Sequence, residues 1–329
     1  MLPQVVWGMV RQIELRGMFM NGFARDPALK RGQTITGRWE RNSYKIVRLL
    51  GKGGSGFVYL AESEYGDLRA MKVSSDLAGI THEHRMLLFI NRSGVRNRTG
   101  VVPRIYELDD FQSGQAVYHY IITDYCEGVN IGRYRRTIPA GDVEGIGKQV
   151  AVFLACLHES GVIFGDLKPG NIIYDFGTQT VHIVDYGSVR IKGQSFNQYT
   201  PVYDRASWRS GSRKADEQYD IFSLGMLMTV LALGKTGVDH KNGLPSVICR
   251  ISKKLRHLPL KKVILKALNQ EYTDCREMVE ELTEIIKITQ KHGRGTGRSG
   301  GNRENSVFVS LAGAVSLISG ILGIVYYYQ

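Results

Sequence analysis

Four polar residues in the middle of the chain have the types and spacing needed to transfer a phosphoryl group. Asp166, Lys168 and Asn171 lie in one short segment, GDLKPGN, and Asp185 follows in the sequence VDYGS. The Asp166 carboxylate can accept the proton of an attacking hydroxyl, and Lys168 can neutralise the moving phosphate. Asn171 and Asp185 supply the oxygen ligands that magnesium prefers. Each residue alone is a weak signal, but their order and spacing together are specific.

A glycine-rich segment upstream is suited to hold the phosphates of a nucleotide. It follows the pattern G-x-G-x-x-G with a valine two residues beyond: Gly51, Gly53, Gly56 and Val58. Glycines there let backbone N–H groups approach phosphates without side-chain obstruction. A dinucleotide-binding turn uses similar glycines but continues into a helix, whereas residues 57–61 alternate as a strand does. A second strand then leads to Lys72 in an A-x-K sequence, where its ammonium would hold the α- and β-phosphates.

An acidic partner is needed to position Lys72, and Glu83 is the best candidate. It lies in the sequence ITHEHRMLLFI, where Met86, Leu87 and Ile90 recur at helical spacing. We therefore predict a helix that carries Glu83 toward Lys72. The alternative interpretation is that Glu83 is one surface charge among many.

By these residues the chain resembles the Hanks-type serine/threonine protein kinases over roughly residues 40–290. The resemblance implies an α+β, two-lobed fold, with a small β-rich N-lobe and a helical C-lobe. It also implies ATP as the phosphate donor, Mg²⁺ as the metal with Mn²⁺ as the alternative, and serine or threonine hydroxyls of proteins as acceptors. The sequence IITDYCEG is similar to the segment that joins the lobes, which places Thr123 at the gatekeeper position and the backbone of Asp124 and Cys126 opposite adenine. In the same way, Asp220 corresponds to the residue that braces the catalytic loop.

Three departures from the family pattern predict unusual regulation. Phe164 and Gly165 replace the histidine and arginine that precede the catalytic aspartate. Without that arginine, a phosphorylated activation loop lacks its usual cationic partner. Tyr186 replaces the phenylalanine of the D-F-G sequence and keeps an aromatic ring. Ala206 and Ser207 occur where the family has a glutamate, so we expect the activation segment to lack that attachment.

Composition limits the other classes of site. The 329 residues can form one domain of kinase size with short additions. The four cysteines are widely spaced: Cys126, Cys156, Cys249 and Cys275. We expect all of them in core or hinge positions as free thiols, and a reducing compartment. His82 and His84 cannot aim both rings at one point from a single helix, so we expect solvated histidines and no metal site.

Residues 1–39 form a predicted N-terminal extension. They combine arginines with large apolar side chains such as Trp7 and Phe23. No basic residue precedes the apolar start and no small-residue cleavage site follows, so a signal peptide is disfavoured. We expect an amphipathic helix that packs on the small lobe, or a surface that binds a membrane or a partner.

The C-terminal sequence predicts a membrane anchor. Residues 307–328 contain no charge, and about 20 apolar residues span the ~30 Å hydrocarbon core. Residues 291–306 form a glycine-rich, basic juxtamembrane linker, whose cations favour a single-pass protein of the cell membrane with its kinase domain in the cytoplasm and its C-terminus outside. Small residues at Ala312, Ser316 and Gly320 would let two anchors approach closely as a homodimer. The alternative is that small residues are simply common in membrane helices.

Part of the net charge of +12 is concentrated in residues 241–266, which contain no acidic residue. Val247, Ile251 and Leu255 recur at helical spacing, so the cations should occupy the opposite face. The candidate DNA-binding residues are Arg250, Lys253, Lys254, Arg256, Lys261, Lys262 and Lys266. Such a face can be a solvated surface, can attract anionic lipid at ~1 kcal/mol per cation, or can neutralise nucleic-acid phosphates.

The unusual catalytic loop, the basic segment and the anchor together resemble the small membrane kinases of spore-forming bacilli. That resemblance implies a serine/threonine kinase at the cytoplasmic face of the membrane that is stimulated by non-specific DNA during sporulation. It favours DNA over the other two interpretations of the basic segment. A second function stays open: a pseudokinase scaffold that binds nucleotide without transferring phosphate and tethers DNA or partner proteins to the membrane.

Overall fold

The structure is a computed structural model that describes residues 26–134, 138–197, 199–234 and 238–295. Residues 1–25, residues 296–306 of the linker predicted for 291–306, and the predicted membrane anchor at 307–328 lie outside the described residues. Residues 291–295 of that linker are helical. Within the described ranges, no helix is both long enough and apolar enough to cross a bilayer.

The N-lobe is built on a six-stranded antiparallel sheet. Its strands are β1 (Thr34–Thr36), β2 (Ser43–Gly53), β3 (Gly56–Ser63), β4 (Leu68–Ser74), β5 (Ile105–Ser113) and β6 (Ala116–Asp124), in the spatial order β1-β2-β3-β4-β6-β5. Alternate residues of β3 and β4, such as Tyr59, Ala61, Met71 and Val73, are buried in one cluster on a single face of the sheet. The predicted strand–hairpin–strand arrangement before Lys72 is therefore confirmed.

Helix α1 (Leu77–Arg92) follows β4 and packs against β5 and β6. It begins at Asp76, whose carboxylate accepts a hydrogen bond from the Gly79 N–H at 3.1 Å. Leu87 and Ile90 are buried one turn apart, as the apolar spacing predicted. The same face carries Glu83 inward.

The helices of the remaining chain are α2 (Val95–Thr99), α3 (Ala140–Glu159), α4 (Glu217–Leu233), α5 (Leu244–Lys254), α6 (Leu260–Leu268) and α7 (Cys275–Gly295). The short strands are β7 (Val129–Asn130), β8 (Val162–Ile163), β9 (Ile172–Asp175), β10 (Thr180–Ile183) and β11 (Arg190–Ile191). Strand β9 pairs with β7 and β10, and β8 pairs with β11. These short ladders hold the loops between α3 and α4, where the polar residues of the sequence motif lie.

Helix α4 forms the centre of the C-lobe core. It is apolar around its whole circumference, and such a helix is stable only when buried on all sides. Gly225 permits the close approach of α6, because a Cβ atom at Gly225 would lie 2.9 Å from the Cβ of Ala267. The apolar face predicted for Val247, Ile251 and Leu255 is confirmed, since all three side chains are buried.

Two predictions about individual side chains are wrong. Cys249 is exposed rather than in the core, because it lies between Val247 and Ile251 on the opposite side of α5. His82 and His84 are half-buried rather than solvated. The Nε2 atom of His82 lies 2.9 Å from the Val189 carbonyl oxygen and 2.7 Å from the Arg190 guanidinium. The loop after Asp185 covers this ring, and a helical pattern alone does not reveal that cover.

Candidate active site

Lys72 lies at the centre of a buried group of charges. Strand β4 places it opposite Val58 on β3 and Ile121 on β6. Its ammonium donates to the Glu83 carboxylate at 2.5 Å and to the Asp185 carboxylate at 3.1 Å. Burial opposes the charge of Lys72, but the two carboxylates outweigh it and raise the pKa of this lysine above its ordinary value. Lys72 is therefore a permanent cation, held at a fixed point beside Asp185.

Asp185 and Tyr186 are fixed in a strained but well-supported turn. Asp185 has φ +68°, a left-handed conformation that few non-glycine residues adopt. Burial opposes its charge, but Lys72 and Lys168 hold the pKa of Asp185 below its ordinary value. The Tyr186 ring is buried against Phe164, with centroids 5.8 Å apart in an edge-to-face arrangement, and its hydroxyl donates to the Ile183 carbonyl at 2.9 Å. The two unusual aromatic residues thus pack together and support the Asp185 turn.

Asp166 lies between a cation and an amide. Its carboxylate accepts from the Lys168 ammonium at 2.5 Å and from Asn171 Nδ2 at 3.1 Å, and Asn171 Nδ2 also donates to the Asp166 carbonyl at 2.8 Å. The Thr200 hydroxyl lies 3.3 Å from the other Asp166 oxygen. Burial raises the pKa of Asp166, and the neighbouring Lys168 lowers it in part. A carboxylate in this setting can accept a proton from a hydroxyl placed where Thr200 now contacts it.

One buried carboxylate binds the backbone of the catalytic loop. Asp220, near the start of α4, is fully buried and accepts the backbone N–H groups of Phe164 at 2.8 Å and Gly165 at 2.9 Å. His158 of α3 lies 2.9 Å from the same carboxylate. Because α4 is the rigid centre of the C-lobe, these bonds fix the backbone immediately before Asp166.

The glycine-rich hairpin closes between β2 and β3, where Gly53 pairs with Gly56. Gly56 has φ +136°, and a Cβ atom there would lie 2.2 Å from the Val73 carbonyl oxygen, so the backbone requires glycine. Gly51 pairs with Val58 further along the hairpin, while a Cβ atom at Gly53 would meet open space. The predicted phosphate loop and Lys72 therefore belong to neighbouring strands of one sheet.

The segment between the lobes begins where β6 ends. Thr123 pairs with Ala70 in register, beside the strand that carries Lys72. The Asp124 carboxylate faces away toward β5, where it accepts from the Arg104 N–H at 2.8 Å and from the Tyr106 hydroxyl at 2.7 Å. Cys126 is buried, and burial raises the pKa of its thiol to about 12. The Asp124 side chain is thus bonded to the β5 side of the sheet, and the Cys126 side chain is buried.

The arrangement of Lys72, Glu83, Asp166, Asn171 and Asp185 matches a known family. A family model described as "Protein kinase domain" matches residues 44–293. The chain belongs to the protein kinase family. The two-lobed α+β fold that the sequence resemblance implied is therefore confirmed for this kinase.

Named relatives and a solved structure agree with the family. The kinase is 32% identical over 265 residues to the serine/threonine-protein kinase YabT of Bacillus subtilis, covering 78% of this chain and 75% of that protein. It is 23% identical over 268 residues to the serine/threonine-protein kinase PrkC of the same organism, covering 79% of this chain but 38% of that protein. The "Structure of vaccinia related kinase 3" matches with a TM-score of 0.61 and 14% identity over 81% of this chain and 94% of that one, which establishes the fold alone.

The donor set of this kinase fits a magnesium ion. The amide nitrogen of Asn171 is used for both bonds to Asp166, which leaves its oxygen as the atom for a metal. The Val184 N–H donates to the Asn171 carbonyl at 2.9 Å, so the backbone holds Asp185 close to Asn171. An amide oxygen and a carboxylate are hard oxygen ligands of the kind that Mg²⁺ and Mn²⁺ accept.

The glutamate that the family has near Ala206 and Ser207 is missing, but a different carboxylate attaches the activation segment. Asp204 is fully buried and accepts from the Arg213 guanidinium at 2.8 Å, from the Tyr219 hydroxyl at 3.1 Å and from the Ser207 N–H at 3.1 Å. This carboxylate attaches the end of the segment to α4. An aspartate three residues before a serine is the sequence signal for the local bond between Asp204 and Ser207. The bond to Arg213 depends on the path of the loop and has no such signal.

Two further residues near the cleft were missed in the sequence. Asn130 Nδ2 donates to the Gly170 carbonyl in the catalytic loop at 2.6 Å. Three residues on, the Arg133 guanidinium donates to the Leu50 carbonyl at 2.6 Å, next to Gly51. The segment at 130–133 thus connects the catalytic loop with the glycine-rich strand. Polar residues often follow the segment that joins the lobes, so the sequence alone does not single out Asn130 and Arg133. Their contacts are evident only from the fold.

The candidate DNA-binding residues lie on α5, α6 and the turn between them, apart from the cleft. Arg250, Lys253, Lys254, Arg256 and Lys262 are exposed, and Lys261 is half-exposed. Lys266 differs, because it forms an ion pair with Glu281 of α7 and lies 4.3 Å from the centre of the Tyr272 ring. Lys266 therefore connects two helices and contributes little to the exposed basic surface.

Proposed function

We propose that this protein is an ATP-dependent protein-serine/threonine kinase that transfers the γ-phosphate of ATP to hydroxyls of protein substrates. The observation that carries the proposal is that the Lys72 ammonium donates to both Glu83 and Asp185, while Lys168 and Asn171 donate to the Asp166 carboxylate. The serine/threonine-protein kinases among its relatives support the same class of acceptor.

In this mechanism each side chain has one task. The substrate hydroxyl gives its proton to Asp166 as its oxygen bonds to the γ-phosphorus, and the bond to the β–γ bridging oxygen breaks to release ADP. Lys168 neutralises the transferred phosphoryl group, and Lys72 holds the α- and β-phosphates. Asn171 and Asp185 would hold Mg²⁺, or Mn²⁺ in its place, whose positive charge would neutralise the charge of the phosphates.

The test is phosphate transfer by purified protein with Mg-ATP, measured as autophosphorylation and on a generic protein substrate. Asp166→Ala should lower the rate by about 10²–10⁴-fold, the usual contribution of a general base, and Lys72→Ala should reduce it to background. Lys45→Ala, an exposed lysine of β2, is the matched control and should keep full activity. If the wild type transfers no phosphate even with DNA or anionic vesicles present, the pseudokinase scaffold is the correct function.

We also propose that residues 307–328 anchor the kinase as a single-pass protein of the cell membrane, with the catalytic domain in the cytoplasm. The support is the uncharged length of the segment and the cations that precede it. The full chain should float with lipid vesicles, whereas a variant without residues 307–328 should stay in the dense fractions. Equal flotation of the two proteins would contradict the anchor.

Self-association of the anchor is proposed on its small residues. Gly320→Leu should weaken a crosslinked dimer in membranes, because it enlarges the face that also carries Ala312 and Ser316. Ala314→Leu makes the same kind of enlargement away from that face and is the matched control. An unchanged dimer yield for Gly320→Leu would exclude this contact.

The exposed cations of α5 and α6 are proposed to bind DNA without sequence preference and to stimulate the kinase. The support is their common exposure and charge, since cations alone neutralise phosphates but do not read bases. The resemblance to the kinases of spore-forming bacilli adds a proposed role in sporulation. Several molecules gathered on one duplex would phosphorylate one another more often, because their effective concentration rises.

A quadruple charge reversal tests the DNA surface. Replacing Lys253, Lys254, Lys261 and Lys262 by glutamate should abolish DNA binding and stimulation while basal activity persists. The same reversal at the exposed residues Lys30, Arg31, Arg41 and Lys45 controls for net charge. Wild-type binding should fall by orders of magnitude between low and moderate salt. Retained binding in the α5–α6 variant would move the site elsewhere, and a loss of vesicle binding alone would assign the surface to lipid.

A further inference from the structure

The backbone at Gly165, next to the catalytic base, leaves no room for a side chain. Gly165 has φ +80°, a conformation that strains any residue with a Cβ atom. A Cβ atom there would also lie 2.1 Å from Cε1 of Phe196 and 2.5 Å from its Cζ. The Phe196 ring therefore occupies the space that a side chain at residue 165 would need.

Phe196 is the central member of a small buried cluster that joins the activation segment to the C-lobe. The cluster contains Ile163, Phe196, Ala215 and Tyr219. The Phe196 ring is 4% exposed, and its centroid lies 4.5 Å from that of the Tyr219 ring on α4. Its backbone N–H donates to the Arg213 carbonyl at 2.9 Å, and the preceding Ser195 pairs with Lys214. One aromatic ring thus contacts both the catalytic loop and the rigid helix behind it.

This cluster lies at one end of the stretch of the activation segment that faces Asp166. Four residues after Phe196, the Thr200 hydroxyl contacts the Asp166 carboxylate at 3.3 Å. At the far end, Asp204 attaches the segment to Arg213 and Tyr219. Phe196 and Asp204 therefore hold the two ends of the stretch that faces the catalytic base.

We infer that Phe196 is a positioning residue: by packing on Gly165 and Tyr219, it holds the activation segment in its substrate-binding arrangement without any phosphorylation of that segment. The packing of Phe196 on Gly165 holds the activation segment here, in place of an ion pair between a cationic side chain and a phosphate group. The inference rests on the proposed kinase activity and concerns the regulation of the same site.

The first experiment separates positioning from nucleotide binding. Phe196→Ala should lower kcat/KM for a protein substrate by roughly tenfold or more, because small misplacements of a reacting group can cost up to about 10² in rate. Binding of Mg-ATP, measured directly by calorimetry, should stay unchanged, since Phe196 lies away from Lys72 and the glycine-rich hairpin. Phe196→Leu keeps an apolar side chain and should retain most of the activity. Full activity of Phe196→Ala, or a parallel loss of Mg-ATP binding, would overturn the inference.

The second experiment tests the contact itself by a double-mutant cycle. Gly165→Ala adds the strain of its φ angle and a collision with the ring, and only the collision disappears when Phe196 is also alanine. Gly165→Ala should therefore reduce kcat/KM by a smaller factor in the Phe196→Ala background than in the wild type. Equal factors in both backgrounds would mean that the two residues do not act together.

The third experiment addresses the phosphate. Wild-type protein treated with a phosphatase, which is then removed, should start at full rate on a protein substrate. The double variant Ser188→Ala, Ser195→Ala should also keep most of its activity. A slow start that disappears as the segment becomes phosphorylated would overturn the inference while leaving the kinase function intact. Absence of transfer by the wild type under every condition would instead contradict the proposed function.

Discussion

We expect the ionisation of Asp166, the proposed catalytic base, to set the pH range in which the enzyme works. Burial raises the pKa of Asp166, and Lys168 opposes that rise. Because the base must be deprotonated, the rate should increase with pH through this pKa. Lys168→Ala removes the opposing charge, so the pKa should rise further and the acid limb of the kcat/KM profile should move to higher pH.

The quantity to measure is the pH at which the acid limb of the kcat/KM profile lies. The height of the plateau does not report on Asp166, because Lys168 is also proposed to neutralise the transferred phosphate. Lys45→Ala should leave the limb in place. A limb that stays fixed in Lys168→Ala would mean that another group limits the rate at low pH.

Thiol reactivity should differ sharply among the four cysteines. Cys249 is exposed on α5, whereas Cys126, Cys156 and Cys275 are buried and burial raises the pKa of each. A thiolate is the reactive form, so a thiol reagent should label Cys249 first at neutral pH. Mass spectrometry of the labelled peptides measures this order, and Cys249→Ser should abolish the fast phase. Early labelling of Cys126 would indicate that the segment between the lobes opens readily.

At the scale of elements, the contact of α4 with α6 should be sensitive to one added methyl group. Gly225→Ala places a Cβ atom 2.9 Å from the Cβ of Ala267, and overpacking of this kind typically costs about 1–3 kcal/mol. At Gly145 in α3, by contrast, an added Cβ atom would have no neighbouring atom within 4 Å. Gly145→Ala should therefore stabilise the protein by about 0.5–1 kcal/mol through helix propensity.

Chemical denaturation of the two variants gives the free energies of unfolding. Opposite signs for the same substitution in two helices would establish that packing, rather than propensity, determines the result at Gly225. A gain of stability in both variants would show that α6 can move away at little cost.

Elements were predictable where the signal is local. Gly51 to Lys72 form a hairpin and a following strand because the chain alternates there, and Glu83 lies on a helix whose apolar residues recur at helical spacing. Asp166, Lys168 and Asn171 lie in one short loop, so their spacing in the sequence largely determines their relative positions. By contrast, Phe196 on Gly165 and Arg213 on Asp204 are contacts between loops, which depend on the path of the chain rather than on any period in it. Cys249 was misplaced because one side of α5 is solvent-exposed.

At the scale of the whole molecule, the sequence motifs predict the fold, but they do not predict which charged side chains are exposed at the surface. The basic residues of α5 and α6 were identified from the sequence, yet Lys266 is withdrawn from that surface by Glu281. A count of cations overestimates a binding face whenever a neighbouring helix supplies a carboxylate. The assignment of that face to DNA or lipid therefore depends on the exposed subset alone.

If DNA gathers kinase molecules, its effect should depend on the ratio of DNA to protein. Autophosphorylation at low salt should rise as DNA is added, because neighbours on one duplex react in trans, and should fall again when excess DNA separates them. Short duplexes that hold one molecule should give no stimulation. A plateau without decline would indicate that DNA acts on each kinase molecule separately.

The hydroxyl of Tyr186 affects which inhibitors this enzyme can accept. Compounds that push the aromatic residue after Asp185 out of its pocket must break the buried bond to the Ile183 carbonyl. An unsatisfied carbonyl of this kind costs about 1–3 kcal/mol, which corresponds to roughly 5- to 150-fold in affinity. Tyr186→Phe should therefore bind such compounds more tightly, with no change for compounds that occupy only the adenine pocket. A tyrosine in place of phenylalanine would thus give the enzyme intrinsic resistance to one class of drug.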